Sequence, residues 1–579
     1  MSGAVAAATA GTLLMASASG AEATPTLDEL DQRIVSAMAA DGTASAGQSA
    51  QKSSMSADSD LPGRDAKIIG GSETTIGTAP YMAQLWYYDD NTGIGFFCGG
   101  SVVSPTKILT AAHCVDKDYY DWAANGVVVT GTQQLPTKVT DANGAVVDVD
   151  YHGGTRSLVA RQWNHSSYDE DAIDNDVAVL TLAEPVKAAP IKMTTSGDTA
   201  SYAKDIPAKV YGWGRTSSTS DAVSQTLKTA DMPVVTDTTC GNFWGDLFVK
   251  GHMFCAGKPS GGTDKTTTAS CNGDSGGPLV YKNKVIGVVS WGVTDCVYKG
   301  AYPVFAKVSR YVGAASARVN DIDLSRDGKA DVFLRNKDTG IGYMRASKGS
   351  SLDSRENLGA AVGSWIGYDL VQQTDLDRDG FQDFVIRRGA DGDVFWRHYV
   401  PASKAWTDTQ IFDNWTTRTR IVTPGDVTGD ALPDLLSVDS GGALWIYPGK
   451  GNGTFATRVK VGTGWNQYNA VLGHGDFTGD GKTDLIARTK TGSNIYLYKG
   501  TGKSGTSAFA TRIKVRSDWS AYDTLITPGD VNGDSKADLL ARTKAGTLYL
   551  YKGTWTATSE IFDTRISVGT SYAQYDLLG

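Results

Sequence analysis

Cysteine is missing from the whole C-terminal half of this 579-residue chain, and nowhere do two cysteines form a C-x-x-C pair. All six lie between positions 98 and 296. The lack of close pairs argues against a thiolate metal site. Six cysteines confined to one segment point to disulfides and an oxidising compartment. Histidine is scarce, and only His398 and His474 follow position 275. No apolar run is long enough to cross a bilayer as a helix, so no membrane span is expected. A net charge of −9 leaves little basic surface, which excludes non-specific nucleic-acid binding as a function. Lys and Arg are absent ahead of the small, apolar stretch 4–18. That stretch otherwise reads as a secretory signal peptide over residues 1–21, ending near Ala16-Ser17-Ala18. The rest of the composition, 20% charged and 41% hydrophobic, is that of a globular protein with room for about two to four domains.

What is present begins with Ser270-Cys271-Asn272-Gly273-Asp274-Ser275-Gly276-Gly277-Pro278. A serine hydroxyl is a weak nucleophile at neutral pH. It needs a base beside it and donors facing the oxyanion it creates. Glycines let the backbone approach a substrate with no Cβ in the way. The run also fits G-x-S-x-G, the elbow of α/β-hydrolases, but that arrangement needs a histidine after the serine. His398 and His474 lie in a repeat region of different character, so the elbow reading is set aside. Upstream stand Thr110-Ala111-Ala112-His113-Cys114 and Asp174-Asn175-Asp176-Val177-Ala178-Val179-Leu180.

These three segments, in the order His113, Asp176, Ser275, resemble the chymotrypsin/trypsin-like serine proteases. The resemblance covers residues 68–316 and implies two six-stranded β-barrels with the site between them. It agrees with the short apolar runs broken by Gly, Asn, Asp and Pro. It implies Ser275 as nucleophile, His113 as general base, Asp176 as the group that orients the imidazole, and the amides of Gly273 and Ser275 as the oxyanion hole. Asp174 stands two residues away, but the family places the orienting carboxylate directly before the apolar run. His152, His165, His252, His398 and His474 receive no role. The implied disulfides are Cys98–Cys114, Cys240–Cys255 and Cys271–Cys296.

Lys67-Ile68-Ile69-Gly70-Gly71 resembles the activation site of the same family. Cleavage after Lys67 would free the ammonium of Ile68 to pair with Asp274, so residues 22–67 read as a pro-segment. Thr26 to Ala39 within it has Leu27, Leu30, Ile34 and Met38 near helical spacing. The implied substrate pocket comprises Ala269, Ser270, Ser290, Trp291, Gly292 and Pro303. Trypsins carry aspartate where this chain has Ala269, which points to an apolar or aromatic P1 residue, since a buried unpaired cation is costly. Tyr302-Pro303-Val304-Phe305 departs from the family's Pro-Gly-Val-Tyr. Either Pro303 takes the glycine position and narrows the pocket for small aliphatic residues, or one residue is deleted. Asp295 near the mouth leaves basic specificity as a further alternative. With an apolar P1, a separate trypsin-like protease would have to activate the chain.

From residue 317 to 579 an aspartate motif recurs at Asp323, Asp375, Asp426, Asp476 and Asp530, spaced by 52, 51, 50 and 54 residues. Such a period means a propeller or a solenoid. Each motif runs into an apolar strand, then an aromatic one, with tryptophans at 365, 415, 465 and 519 just upstream. This resembles the FG-GAP/VCBS repeat and implies a β-propeller of about five blades. The terminal Tyr575-Asp576-Leu577 echoes Tyr368-Asp369-Leu370, as expected of a strand that completes the first blade and closes a ring. An open, less regular array is the alternative.

In each motif the side chains at positions 1, 3, 5 and 9 converge, and hard oxygen ligands in a tight turn suit Ca²⁺. The sets are Asp323, Ser325, Asp327, Asp331; Asp375, Asp377, Asp379, Asp383; Asp426, Thr428, Asp430, Asp434; Asp476, Thr478, Asp480, Asp484; and Asp530, Asn532, Asp534, Asp538. Position 12 is never the bidentate Glu of an EF-hand. Ala431 and Ser535 replace the turn glycine in the third and fifth sets.

The expectation is an all-β protein, a secreted and monomeric serine endopeptidase acting on proteins or peptides. It would use structural calcium in the repeats and no cofactor in catalysis. Its propeller would dock to a substrate, a surface protein or a surface glycan. The alternative is a calcium-dependent, adhesin- or lectin-like binder whose protease domain is inert.

Overall fold

The computed structural model describes residues 27–40 and 68–579, apart from positions 197, 321, 326, 359–364, 401–402, 404, 535 and 557. The expected signal peptide, most of the pro-segment and Lys67 lie outside the described residues. Within the segment expected to be a pro-segment, one described helix spans Leu27–Ala40. Leu30, Ile34 and Ala37, one helical face, are buried. They pack on the strands Met82–Asp89 and Ile94–Ser104. Asp31 pairs with Arg156 and accepts the Tyr151 hydroxyl. Gly95 permits this contact, because a Cβ there would lie 2.7 Å from the Ala40 Cβ.

Two barrels follow. The first is closed by six strands in the order Met82–Asp89, Ile94–Ser104, Lys107–Thr110, Ala178–Leu182, Thr155–Asn164 and Gly126–Thr130. The second follows the path Lys228–Pro233, Pro207–Gly212, Pro278–Tyr281, Lys284–Trp291, Val304–Lys307 and Met253–Cys255. Its ends meet through a bridge between Val234 and Ala256. Leu85, Val102, Leu109, Val128 and Leu180 fill the first core, and Val210, Phe254, Leu279, Ile286 and Phe305 the second. The cysteines pair 98–114, 240–255 and 271–296, as the resemblance implied.

The helix Val308–Asn320 leads from the second barrel into the repeats. These build five four-stranded antiparallel blades. Four are made of consecutive strands. The first takes Val332–Asn336, Gly342–Arg345 and Glu356–Asn357 from one end of the region and Tyr575–Leu578 from the other, with Leu334 opposite Leu578. Arginines bind neighbouring blades together at equivalent places. Arg387 holds Asp369 at 2.8 Å and the Arg418 carbonyl at 2.8 Å. Arg488 reaches the Tyr522 carbonyl, and Arg542 that of Tyr575. The last contact joins the fifth blade to the strand that completes the first, so the ring is closed by the same bond that spaces its other blades.

Candidate active site and the aspartate loops

His113 stands in a one-turn helix, Ala112–Cys114, anchored by the 98–114 disulfide. Asp176 directly precedes the barrel strand Ala178–Leu182. The two meet between the barrels: the Nδ1 of His113 lies 2.8 Å from Oδ2 of Asp176, and the His113 amide donates to Oδ1 at 2.9 Å. Both residues are buried. Burial alone would push the Asp176 carboxyl up. The imidazole beside it, with the hydrogen bonds it receives, holds it below the ordinary range instead. A carboxylate so placed fixes the ring with Nε2 free to take a proton. Asp174 does not touch His113. Both its oxygens lie 2.9 Å from Nδ1 of His252.

Sequence reasoning put Ser290 in the substrate pocket and missed its bond to this couple. The Ser290 hydroxyl donates to Oδ2 of Asp176 at 2.5 Å. A charge-assisted bond between residues 114 positions apart leaves no local sequence signal.

Ser275 is half-buried, in the loop that precedes the strand Pro278–Tyr281. Backbone bonds to two strands fix the loop: Gly99 donates to the Ser275 carbonyl at 2.7 Å and Gly276 to the Val289 carbonyl at 2.9 Å. Gly273 has φ +90°, and a Cβ there would lie 3.0 Å from Val223 and 3.1 Å from the Gly214 Cα. Only glycine fits, and the left-handed backbone turns the amide direction in this segment.

Asp274 is fully buried, accepting from the Gly214 amide at 2.8 Å and the Cys271 amide at 2.9 Å. Burial pushes its carboxyl up to about 7, against the pull of those two amides. Ile68 and Ile69 are also fully buried. Ile69 bridges to Ala269, whose amide donates to the Ile69 carbonyl at 3.0 Å. The segment that follows Lys67 therefore lies against Ala269, the expected pocket floor, a link that sequence reasoning had not drawn.

Ser290, Trp291, Gly292 and Pro303, also expected in the pocket, lie on or beside strands of the second barrel. Ala269 lies beside the 271–296 disulfide in a chain that also carries half-buried Ser270. Ser290, Trp291 and Gly292 end or follow the strand Lys284–Trp291. A Cβ on Gly292 would meet nothing within 4 Å, so the wall is open there. Pro303 is buried immediately before the strand Val304–Lys307, where Val304 pairs with Trp291 and Cys255. Oδ1 of Asp295 accepts from the amides of Val297 and Tyr298 within its own turn.

Four of the five aspartate loops share one pattern, and in the second loop Oδ2 of Asp383 instead accepts both the Leu376 amide and the Trp396 indole. The ninth aspartate is buried and ties loop to blade. Oδ1 of Asp434, Asp484 and Asp538 accepts from Gly449, Gly500 and Gly553 at 2.8–3.0 Å, while Oδ2 accepts amides within the loop. Asp331 does the same through Ser347 and Ser325. Burial pushes these carboxyls up, Asp331 to about 8 and Asp434 to about 7.

Carboxylate oxygens of Asp323, Asp327 and Asp331 in the first loop, and of Asp375, Asp377 and Asp383 in the second, lie within 4.8 Å of one another. Oδ1 of Asp375 is buried with no hydrogen-bond partner. Burial pushes Asp375 up to about 7, against the pull of Arg378. Three crowded, desolvated carboxylates with an orphaned oxygen fit a hard divalent cation. Asp379 contributes its Oδ1 to the Phe381 amide. In the third and fourth loops the first aspartates, Asp426 and Asp476, accept amides from the turn that includes Asp430 or Asp480. Thr428 and Thr478 place their hydroxyls toward Asp434 and Asp476.

A protein-family model for trypsin matches residues 68–314, and one for an FG-GAP-like repeat matches residues 476–541. The chain is 36% identical over 253 residues to a trypsin of Saccharopolyspora erythraea, covering 44% of this chain and 98% of that protein. It is 35% identical over 234 residues to a trypsin of Simulium vittatum, covering 40% of this chain and 84% of that protein. To trypsin-3 of Salmo salar it is 30% identical over 249 residues, covering 43% and 90%.

Proposed function

Because the chain belongs to the trypsin family and is a serine endopeptidase, we propose that His113, Asp176 and Ser275 are its catalytic triad. The observation that carries this reading is the buried His113–Asp176 couple at 2.8 Å, braced by Ser290, across from a nucleophile loop in which only glycine fits at 273. Ser275 attacks the scissile carbonyl while Nε2 of His113 takes the hydroxyl proton. His113 then returns that proton to the leaving amine. Asp176 stabilises the imidazolium without accepting its proton. The amides of Gly273 and Ser275 receive the oxyanion, each donor contributing about 2.7–4 kcal/mol.

The substrate reading favours an apolar or aromatic P1 residue. Ala269 offers no carboxylate at the pocket floor, Asp295 is engaged by two amides of its own turn, and Gly292 leaves the entrance open. The relatives are named trypsins, which keeps cleavage after Lys or Arg as the second reading.

The uncleaved chain is a zymogen. Asp274 is buried with only amide donors, and a carboxyl in that state gains from a cation. Cleavage after Lys67 supplies the Ile68 ammonium beside it. The disulfides support secretion, and the crowded carboxylates of the second aspartate loop support calcium bound by Asp375, Asp377 and Asp383. This calcium would neutralise buried carboxylates and stiffen the blade; it supplies no chemistry to the triad.

The test is hydrolysis of matched peptides with Phe, Ala or Arg at P1. The protein should begin at Ile68, with Ser275→Ala as control. Cleavage after Phe, lost by about 10⁶-fold in the control, is expected. Cleavage after Arg alone overturns the apolar reading while sparing the triad. Undiminished hydrolysis by the control overturns the triad.

A further inference from the structure

The face of the ring that carries the aspartate loops is turned toward the protease. Ser104 of the first barrel donates to the Arg378 carbonyl in the second loop at 3.5 Å, and Ser196 to the Asp480 carbonyl in the fourth at 3.2 Å. A Cβ on Gly481 would lie 2.6 Å from Val312 of the bridging helix. Two loops contain something more specific. Arg161, on the barrel strand Thr155–Asn164, donates to Oδ2 of Asp323 in the first loop. Arg318, near the end of the bridging helix, donates to Oδ2 of Asp530 in the fifth, and its other terminal nitrogen donates to the Gly328 carbonyl in the first. Arg318 is 3% exposed, and the side chains of Asp323 and Asp530 are 4% and 1% exposed.

We propose that Arg161 and Arg318 hold the place of the cation in the first and fifth loops. Those two loops thereby form a calcium-free clasp between protease and ring, whereas the second loop keeps calcium.

A buried carboxylate needs a positive partner, and a guanidinium or a calcium ion can supply it. The two exclude each other. Calcium requires six to eight oxygens around it, and a guanidinium on the first aspartate brings only N–H donors and a like charge. Arg161 and Arg318 come from a barrel strand and a packed helix, so neither can swing away without undocking the domains. In the second loop Arg378 donates to the Val319 carbonyl at 3.3 Å, and Asp375 keeps an oxygen without a partner. The sequence hint of weaker sites, a missing turn glycine, falls on the third and fifth loops and so matches this division at the fifth only. The calcium half of the contrast rests on the reading of the second loop above; the arginine half does not.

The first experiment counts calcium ions bound per full chain by equilibrium dialysis. Asp323→Asn and Asp530→Asn are expected to bind as many ions as the parent, and Asp375→Asn one fewer. Loss of an ion in Asp323→Asn or Asp530→Asn overturns the clasp. An unchanged count in Asp375→Asn overturns the calcium reading of the second loop instead. The second experiment is calorimetry in saturating calcium. The parent is expected to melt in one transition, Arg161→Gln and Arg318→Gln in two, and Arg161→Lys in one, because it keeps the charge. A single transition at the parent's temperature in both Gln variants overturns the clasp.

Discussion

Ser290 lies on the strand expected to bind the substrate backbone, yet its hydroxyl is spent on Asp176. Removing one charge-assisted bond of this kind costs about 1.5–3 kcal/mol, so Ser290→Ala is expected to lower kcat at least tenfold with an intact fold. Equal kcat in the variant would mean that the bond does not position the carboxylate. Asp274 gives a prediction of a different sort. Its carboxyl sits at about 7 in the uncleaved chain and near 3.8 when unfolded. The folded state then binds the extra proton between those values. The stability this contributes is fully present below about 4 and is lost as pH rises through 7. Asp274→Asn is expected to remove that part of the decline in the uncleaved protein; denaturant melts of parent and variant at pH 5 and pH 8 measure it. Parallel losses in both would assign the decline to other groups. At this scale the sequence was legible where chemistry is local. Asp176 could be told from Asp174 because the resemblance to the protease family places the orienting carboxylate directly before an apolar run. The partners of Ser290 and Asp174 could not be read, since each is supplied by a distant strand or turn.

The aspartate loops repeat in register, so their existence was plain in the spacing of five motifs. What differs between them was not, because the difference comes from outside the repeat. Arg161 belongs to a barrel strand and Arg318 to a helix, and nothing in either neighbourhood marks them as partners of Asp323 and Asp530. The role of the ninth aspartate was also hidden. It reads as a ligand from the motif alone, but in the blade it caps a hairpin amide that lies about fifteen residues on. The loops therefore carry a structural load even without metal. Calcium should add to it: raising free calcium through about 10⁻⁴–10⁻³ M is expected to raise the melting temperature of the full chain, and Asp375→Asn to blunt the rise. A melting temperature indifferent to calcium and to chelator would remove the metal from the account. The helix at 27–40 was foreseen from the spacing of Leu27, Leu30, Ile34 and Met38; of these Leu30 and Ile34 are buried, with Ala37 completing the face.

At the scale of the molecule, five motifs and the echo of Tyr368-Asp369-Leu370 at the C-terminal end were enough to expect a closed ring. The seat of the ring on the protease was not, because docking surfaces built from loops have no periodicity. The closing strand buries Tyr575 and Leu578, and Gly579 exchanges backbone bonds with Phe333. Deleting residues 575–579 is expected to cost about 4–6 kcal/mol from lost burial alone and to make the first blade sensitive to added protease. Unchanged digestion would mean that the blade stands on three strands. Ring closure also sets an order in time. Val332–Asn336 is the first of the described repeat strands to leave the ribosome, while its partner Tyr575–Leu578 follows only after the other four blades. For the whole interval in between, that strand's edge has no mate from its own ring. The first blade must wait until residues 575–578 have been made, and every chain cut short before them carries an open edge that can pair with another copy.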